Sequence, residues 1–205
     1  MIIGVHGKIG SGKQTFAKEL ARHLRAQGYV PYYRIWAGKL KEVIQTLTDE
    51  RMITEYDNDF EDGITDYTQE QKNIRIEEYD MSLGRMLQVI GTDLFRDHFS
   101  KRTWINAMLR SYYNMVGKNP KVVWIVPDTR FPNEADELID SVKGVVVSVA
   151  RKDNSVRDNT TRDKAHESEV ALDNYTRFFE VVDNDGTIGE LSMKAYNVVS
   201  NIIKK

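Results

Sequence analysis

The segment GKIGSGKQT, residues 7–15, decides the fold of this 205-residue chain. It matches G-x-x-x-x-G-K, and its flanks supply the context that such spacing needs. Before it, IIGVH (2–6) is a short β-branched run cut off by Gly7, which predicts a buried strand. After it, Phe16, Ala17, Leu20, Ala21 and Leu24 recur on one face, and Gly28 ends the pattern, which predicts a helix from Lys13. A strand, a glycine-rich turn and a helix start together make an anion site. Gly7, Gly10 and Gly12 allow backbone conformations that aim successive N–H groups inward. The helix start adds a partial positive charge, and Lys13 adds a point charge suited to β- and γ-phosphates. Gly7, Lys8, Gly10, Ser11, Gly12, Lys13, Gln14 and Thr15 are therefore the candidate donor-nucleotide residues. Gln14 stands where such loops usually carry a magnesium-binding Ser or Thr. Magnesium (Mg2+) is then expected on phosphates, water and a carboxylate, with Thr15 on a phosphate oxygen.

The rest of the chain alternates in the same way. VPYYRIW (30–36) predicts a strand, and Leu40, Val43, Ile44 and Leu47 a helix. Thr68 and Gln71 form a capping box for a helix through about Tyr79, and Ser82 caps another whose stripe is Leu83, Met86, Leu87, Ile90 and Leu94. A helix follows from Thr103 to about Val116. KVVWIV (121–126), GVVVSVA (144–150) and FFEVV (178–182) predict strands, Pro132 opens a helix, and TIGE (187–190) caps a last one. Continuous apolar strands alternating with helices predict an α/β fold, a parallel sheet covered on both faces. Ligands of such sheets bind beyond the carboxyl ends of the strands. The loop at 7–12, the segment 128–134 and the chain from Arg151 onward should meet on that edge.

Composition limits the function classes. Lys and Arg total 29 against 31 Asp and Glu, so a general nucleic-acid coat is not expected. No cysteine is present, which removes disulfides and thiolate chemistry and fits a reducing, cytoplasmic setting. The four histidines have no metal-ligand spacing, and no apolar run approaches the ~20 residues of a membrane span. Residues 49–66 carry eight carboxylates against Arg51 alone and read as a solvated surface excursion, without the spacing of a calcium loop.

Three groups are candidates for the second substrate. Asp128 and Arg130 lie two apart just past a strand and project in one direction; they suit hydrated magnesium and a phosphate, or equally an internal ion pair. Arg85, Gln88, Thr92 and Arg96 share a stripe of a helical net, which also reads as a solvated helix side. Gly91 within that pattern lets something approach the backbone. Trp104 suits base stacking or core packing. Residues 151–169 hold Arg151, Arg157 and Arg162 and read as a lid over transferred charge, or as a polar surface loop.

At this point GKIGSGKQT, SLGRMLQVIGTDLFRD (82–97), VVWIVPDTRFPNEADEL (122–138), AHESE (165–169) and DNDGTIGEL (183–191) together resemble the bacteriophage deoxynucleoside monophosphate kinases, a P-loop family. The L-Q-x-x-G-T-D-x-x-R and D-x-R-F-P-N-E segments carry most of the specificity, and residues 49–80 have no counterpart. The resemblance implies one adenylate-kinase-like domain over 1–205. Its acceptor-binding helical insert would span about 38–117 and its lid about 151–169. It implies ATP as donor, with Lys13, Thr15, Arg151 and Arg157 on its phosphates. Arg85, Gln88, Gly91, Thr92, Arg96, Trp104, Asp128, Arg130 and Glu134 would surround the monophosphate, and Lys13, Asp128 and Arg130 would serve catalysis. The family loop often reads G-K-D-T, so Gln14 is a local variant. Partners would be small-molecule nucleotides, with no nucleic acid and no membrane; the oligomeric state stays open, a homodimer being one expectation. Rival readings are a kinase for another small phosphorylated acceptor, a nucleotide-driven switch ATPase (though no N-K-x-D segment is present), and a binding module without activity.

Overall fold

A computed structural model describes residues 1–8, 10–48, 67, 69–152 and 170–204. They fall into two compact units, residues 1–32 with 121–205, and residues 33–120. The acidic stretch 49–66, the Thr68 cap, and most of the expected lid, including Arg157 and Arg162, lie outside the described residues.

The first unit is built on five strands: β1 (Ile2–His6), β2 (Val30–Tyr33), β5 (Val122–Val126), β6 (Val145–Ala150) and β7 (Glu180–Asp183). Their order is β2-β5-β1-β6-β7. β1 runs parallel to β5 and to β6, and β6 runs parallel to β7. β1 and β5 are buried at every position, as expected of inner strands covered on both faces. Helices α1 (Lys13–Ala26), α6 (Pro132–Asp140) and α7 (Ile188–Ile203) flank the sheet. α1 packs along α7, and α6 packs on β1 and β6. The predicted apolar faces are the buried ones: Phe16, Leu20 and Leu24 on α1, and Leu191, Ala195, Val198, Val199 and Ile202 on α7. Each large aliphatic or aromatic group removed from water contributes about 1.5–3 kcal/mol, the main force holding the layers together.

Strand bounds differ in two places. The strand predicted over 30–36 ends at Tyr33, because Ile35 turns inward and Gly38 bonds back to it. The last strand begins at Glu180, and Phe178 packs its ring on His6 instead of joining the ladder.

The second unit contains α2 (Gly38–Thr48), α3 (Gln69–Asn73), β3 (Arg75–Ile76), β4 (Met81–Ser82), α4 (Leu83–Gln88), a π-helix (Val89–Phe99) and α5 (Thr103–Val116). Its core is Leu40, Ile44, Tyr67, Leu83 and Met86. Lys41 is also buried there, its ammonium 4.4 Å over the Tyr67 ring. The helix expected up to Tyr79 stops at Asn73. Asp80 adopts a left-handed φ of 51° and turns the chain into a hairpin that pairs Arg75 with Ser82.

Candidate active site

The loop between β1 and α1 is held open by its glycines. Gly10 and Gly12 have φ of 78° and 87°, values that L side chains rarely adopt. A Cβ on Gly7 would lie 2.3 Å from Ser11 Oγ, and one on Gly12 would lie 2.2 Å from Asn184 Nδ2. Within the loop, Ser11 N–H donates to the Lys8 carbonyl, and Lys13 Nζ lies 3.4 Å from the same oxygen. Helix α1 starts at Gly12 with no side-chain cap and no acidic residue in its first turn. Its leading N–H groups and dipole thus face outward from the strand end. Ser11 Oγ is buried and has no hydrogen-bond partner among the described residues. An uncapped helix start, left-handed glycines at 10 and 12 and an orphaned buried hydroxyl fit an anion with several oxygens, such as a polyphosphate.

The neighbouring strand ends supply the walls. β5 lies beside β1, so Pro127–Phe131 leaves the sheet next to the loop. His6, the last residue of β1, has Nδ1 at 3.2 Å from the Thr129 carbonyl. A carbonyl only accepts, so the ring proton sits on Nδ1. Asp128 and Arg130 flank buried Thr129 and are themselves half-buried. Glu134 accepts the backbone N–H groups of Arg130 (2.8 Å) and Phe131 (3.1 Å). Its carboxylate therefore shapes the turn that carries Arg130; Phe131 has no side-chain acceptor and returns the bond through its carbonyl. Arg151 follows β6. Lys152 donates its N–H to Asp185 at 2.8 Å, which with the nearby Lys152 and Arg151 charges holds the Asp185 carboxyl below the usual carboxylate range. Among the described residues no group of three or more His, Asp or Glu could hold a metal ion.

Two contacts were not expected from the pattern of residues. Asn184, just after β7, donates Nδ2 to the Ser11 carbonyl at 2.8 Å, and Lys8 pairs with Asp173 at 2.9 Å. The usable signal was position. His6 ends β1, Thr129 lies three residues past β5 and Asn184 directly follows β7; all three are polar and buried at the carboxyl edge. Asp173 had no such signal. Its segment is fastened by Tyr175 and Arg177, which bond Asp136 and Asp140 of α6. The Arg177 hydrogen bond holds Asp140 low, and burial with the Asp136 bond pushes the Tyr175 hydroxyl up.

In the second unit, Arg85, Gln88 and Thr92 are exposed and Arg96 is half-buried. Arg85 faces Asp93 at 3.8 Å. From Val89 the backbone bonds close five residues apart, as from Ser100 N–H to the Phe95 carbonyl at 2.8 Å. The wider turn rotates Leu94 out of the expected apolar stripe, leaving it 54% exposed. Gly91 is where α2 comes close, since a Cβ there would stand 2.4 Å from Leu40 Cδ2. Trp104 donates its indole N–H to the Gly91 carbonyl at 2.9 Å and packs on Phe95. Gly91 and Trp104 thus brace the π-helix, which leaves Thr92 exposed and Arg96 half-buried.

The family model for deoxynucleotide monophosphate kinases matches residues 41–195. The chain belongs to that family. The match begins beyond the phosphate loop, so loop geometry and family membership are independent findings. The kinase is also 28% identical over 212 residues to a protein of Acanthamoeba polyphaga mimivirus, "Putative deoxynucleotide monophosphate kinase", covering 98% of this chain and 97% of that one. The solved structure "Dephospho-CoA kinase from Campylobacter jejuni" covers 99% of the kinase and is itself covered to 97%, with a TM-score of 0.51 and 14% identity. That likeness is one of fold, the α/β P-loop architecture. The kinase is a phosphotransferase acting on deoxynucleoside monophosphates, and it takes a nucleotide phosphate donor.

Proposed function

We propose that this kinase transfers the γ-phosphoryl group of ATP in line to the phosphate of a deoxynucleoside monophosphate, giving ADP and the deoxynucleoside diphosphate. The observation that carries the donor assignment is the start of α1: glycine at the cap, no acidic residue in the first turn, and Lys13 beside the loop. The backbone N–H groups after Gly10 and the Lys13 ammonium bind the β- and γ-phosphates. Ser11 and Thr15 hydroxyls and the Gln14 amide are the loop's remaining polar groups. Magnesium, when bound, neutralises phosphate charge; Asp128 would hold its water shell.

A monophosphate oxygen is already anionic, so no residue needs to act as a strong base. The protein aligns the two phosphates and offsets their charge. Arg130, on a turn fixed by Glu134, is assigned to the acceptor phosphate, which a guanidinium can grip with two hydrogen bonds. Arg85, Gln88, Thr92 and Arg96 are assigned to the rest of the acceptor, and Arg151 and Arg157 to the ATP phosphates. Gly91 and Trp104 act through the shape of the π-helix that carries Thr92 and Arg96.

Coupled assays of the four common deoxynucleoside monophosphates and their ribose counterparts, with ATP and magnesium, test this reading. Turnover of at least one deoxynucleotide is expected. ATP hydrolysis with no acceptor, or transfer only to an unrelated phosphorylated metabolite, would overturn it. Arg130→Ala should raise KM for the monophosphate more than KM for ATP; equal rises would remove Arg130 from the acceptor site.

A further inference from the structure

The polar groups buried at the carboxyl edge of the sheet have separate partners. His6 Nδ1 donates to the Thr129 carbonyl beyond β5, and Thr129 Oγ1 donates to the Val126 carbonyl at the β5 end. Asn184 reaches across to the phosphate loop, 173 residues away in sequence. Its own backbone is fixed by the sheet, because its N–H donates to the Ala150 carbonyl at 2.7 Å and extends the β6–β7 ladder by one step. Its side chain is buried, 7% exposed, and its Nδ2 donates to the Ser11 carbonyl. That carbonyl shares a peptide plane with the Gly12 N–H. The described peptides are all trans, so the two groups point in opposite directions. Holding the Ser11 carbonyl on Asn184 turns the Gly12 N–H away from Asn184. The amide also fills the place that a side chain at position 12 would occupy, since a Cβ on Gly12 would stand 2.2 Å from Nδ2.

We infer that Asn184 is a positioning residue for the donor site: it locks the Ser11–Gly12 peptide so that the Gly12 N–H, and the N–H groups of the α1 start behind it, point toward the phosphates. It touches neither substrate's reacting atoms in this role. The inference rests on the phosphate-loop reading above and extends it to a residue at the other end of the chain.

Two variants of the full chain test it. Asn184→Asp keeps the shape but faces the Ser11 carbonyl with a second acceptor, and Asn184→Ala removes the donor. ATP affinity, measured by calorimetry without acceptor, should fall about tenfold in each, the usual cost of orphaning a buried hydrogen-bond partner. Affinity for the deoxynucleoside monophosphate should not change. The Gly12 amide should exchange with solvent faster in both variants in the absence of nucleotide. Acidification should restore the affinity of Asn184→Asp relative to the parent, because the protonated carboxyl donates to the Ser11 carbonyl, and should not restore Asn184→Ala. Loss of both affinities together, with unchanged Gly12 exchange, would make Asn184 a general packing residue and overturn the inference. So would unchanged ATP affinity in both variants while Lys13→Met loses it, a result that leaves the phosphate loop itself standing. A parent chain that takes up no ATP would bring down the loop reading and this inference with it.

Discussion

Helices α7 and α1 lie side by side, yet they begin in opposite ways. At α7, Thr187 Oγ1 accepts the Glu190 N–H, and the Glu190 carboxylate accepts the Thr187 N–H at 2.7 Å. The first turn is satisfied by its own residues, and its dipole is met by an acidic group. At α1 the cap is a left-handed glycine, the first turn carries Lys13, Gln14 and Thr15, and no carboxylate is near its start in sequence. The first arrangement stabilises its own helix. The second forgoes the capping contribution, and under the proposed function those N–H groups bind the donor phosphates. Where local rules are broken in one helix and kept in its neighbour, the broken one is the better candidate for a binding site.

The comparison can be broken or sharpened by substitution. The largest effect is expected from Lys13→Met, which should remove about 3 kcal/mol of transition-state stabilisation, read as kcat with ATP and a deoxynucleoside monophosphate. Unchanged turnover would take Lys13 out of the mechanism. Next comes Gln14→Glu, which gives α1 the acidic first turn that α7 has. ATP affinity should drop on the order of tenfold through charge repulsion, while the melting temperature rises slightly from the better-met dipole. A variant that binds ATP as tightly as the parent would show that this turn does not face the phosphates. Thr187→Ala should cost about 1 kcal/mol, a fall of about 2–4 °C in Tm, with KM for both substrates unchanged. The smallest effect is a titration. The hydrogen bond from the Thr187 backbone holds Glu190 below its ordinary range, and the Arg177 hydrogen bond does the same for Asp140. Carboxyls held low stabilise the fold above their unfolded values, and that stability is lost as the pH falls through the folded ones. Thermal stability should therefore fall with acidification through and below the carboxylate range, and less steeply in Glu190→Gln.

Much of the fold was legible in one dimension because its signals are local. The strand before Gly7, the face Phe16–Leu20–Leu24, the Pro132 start and the Thr187–Glu190 box each depend on residues within a turn or two, and the backbone obeys them. The strand to Trp36 stops early because a turn at Ile35–Gly38 outweighs the apolar run, and the helix expected to Tyr79 on a capping box stops at Asn73, where the β3–β4 hairpin begins. The π-helix was hidden for a different reason. Five-residue closure has no composition of its own, and it is held by tertiary contacts, Leu40 against Gly91 and the Trp104 indole on the Gly91 carbonyl.

The sequence by itself determined the candidate phosphate cradle, since its glycines, Lys13 and its missing cap are all within nine consecutive residues. The tertiary structure alone decided what braces that cradle: Asn184 on the Ser11 carbonyl, Asp173 on Lys8, and the Glu134 carboxylate under the Arg130 turn. Two of these partners stand some 165 residues or more from the loop, and only the order in which the strands assemble brings them to one edge. A local pattern can specify which groups a site needs, whereas the packing of distant strand ends fixes the direction in which those groups point.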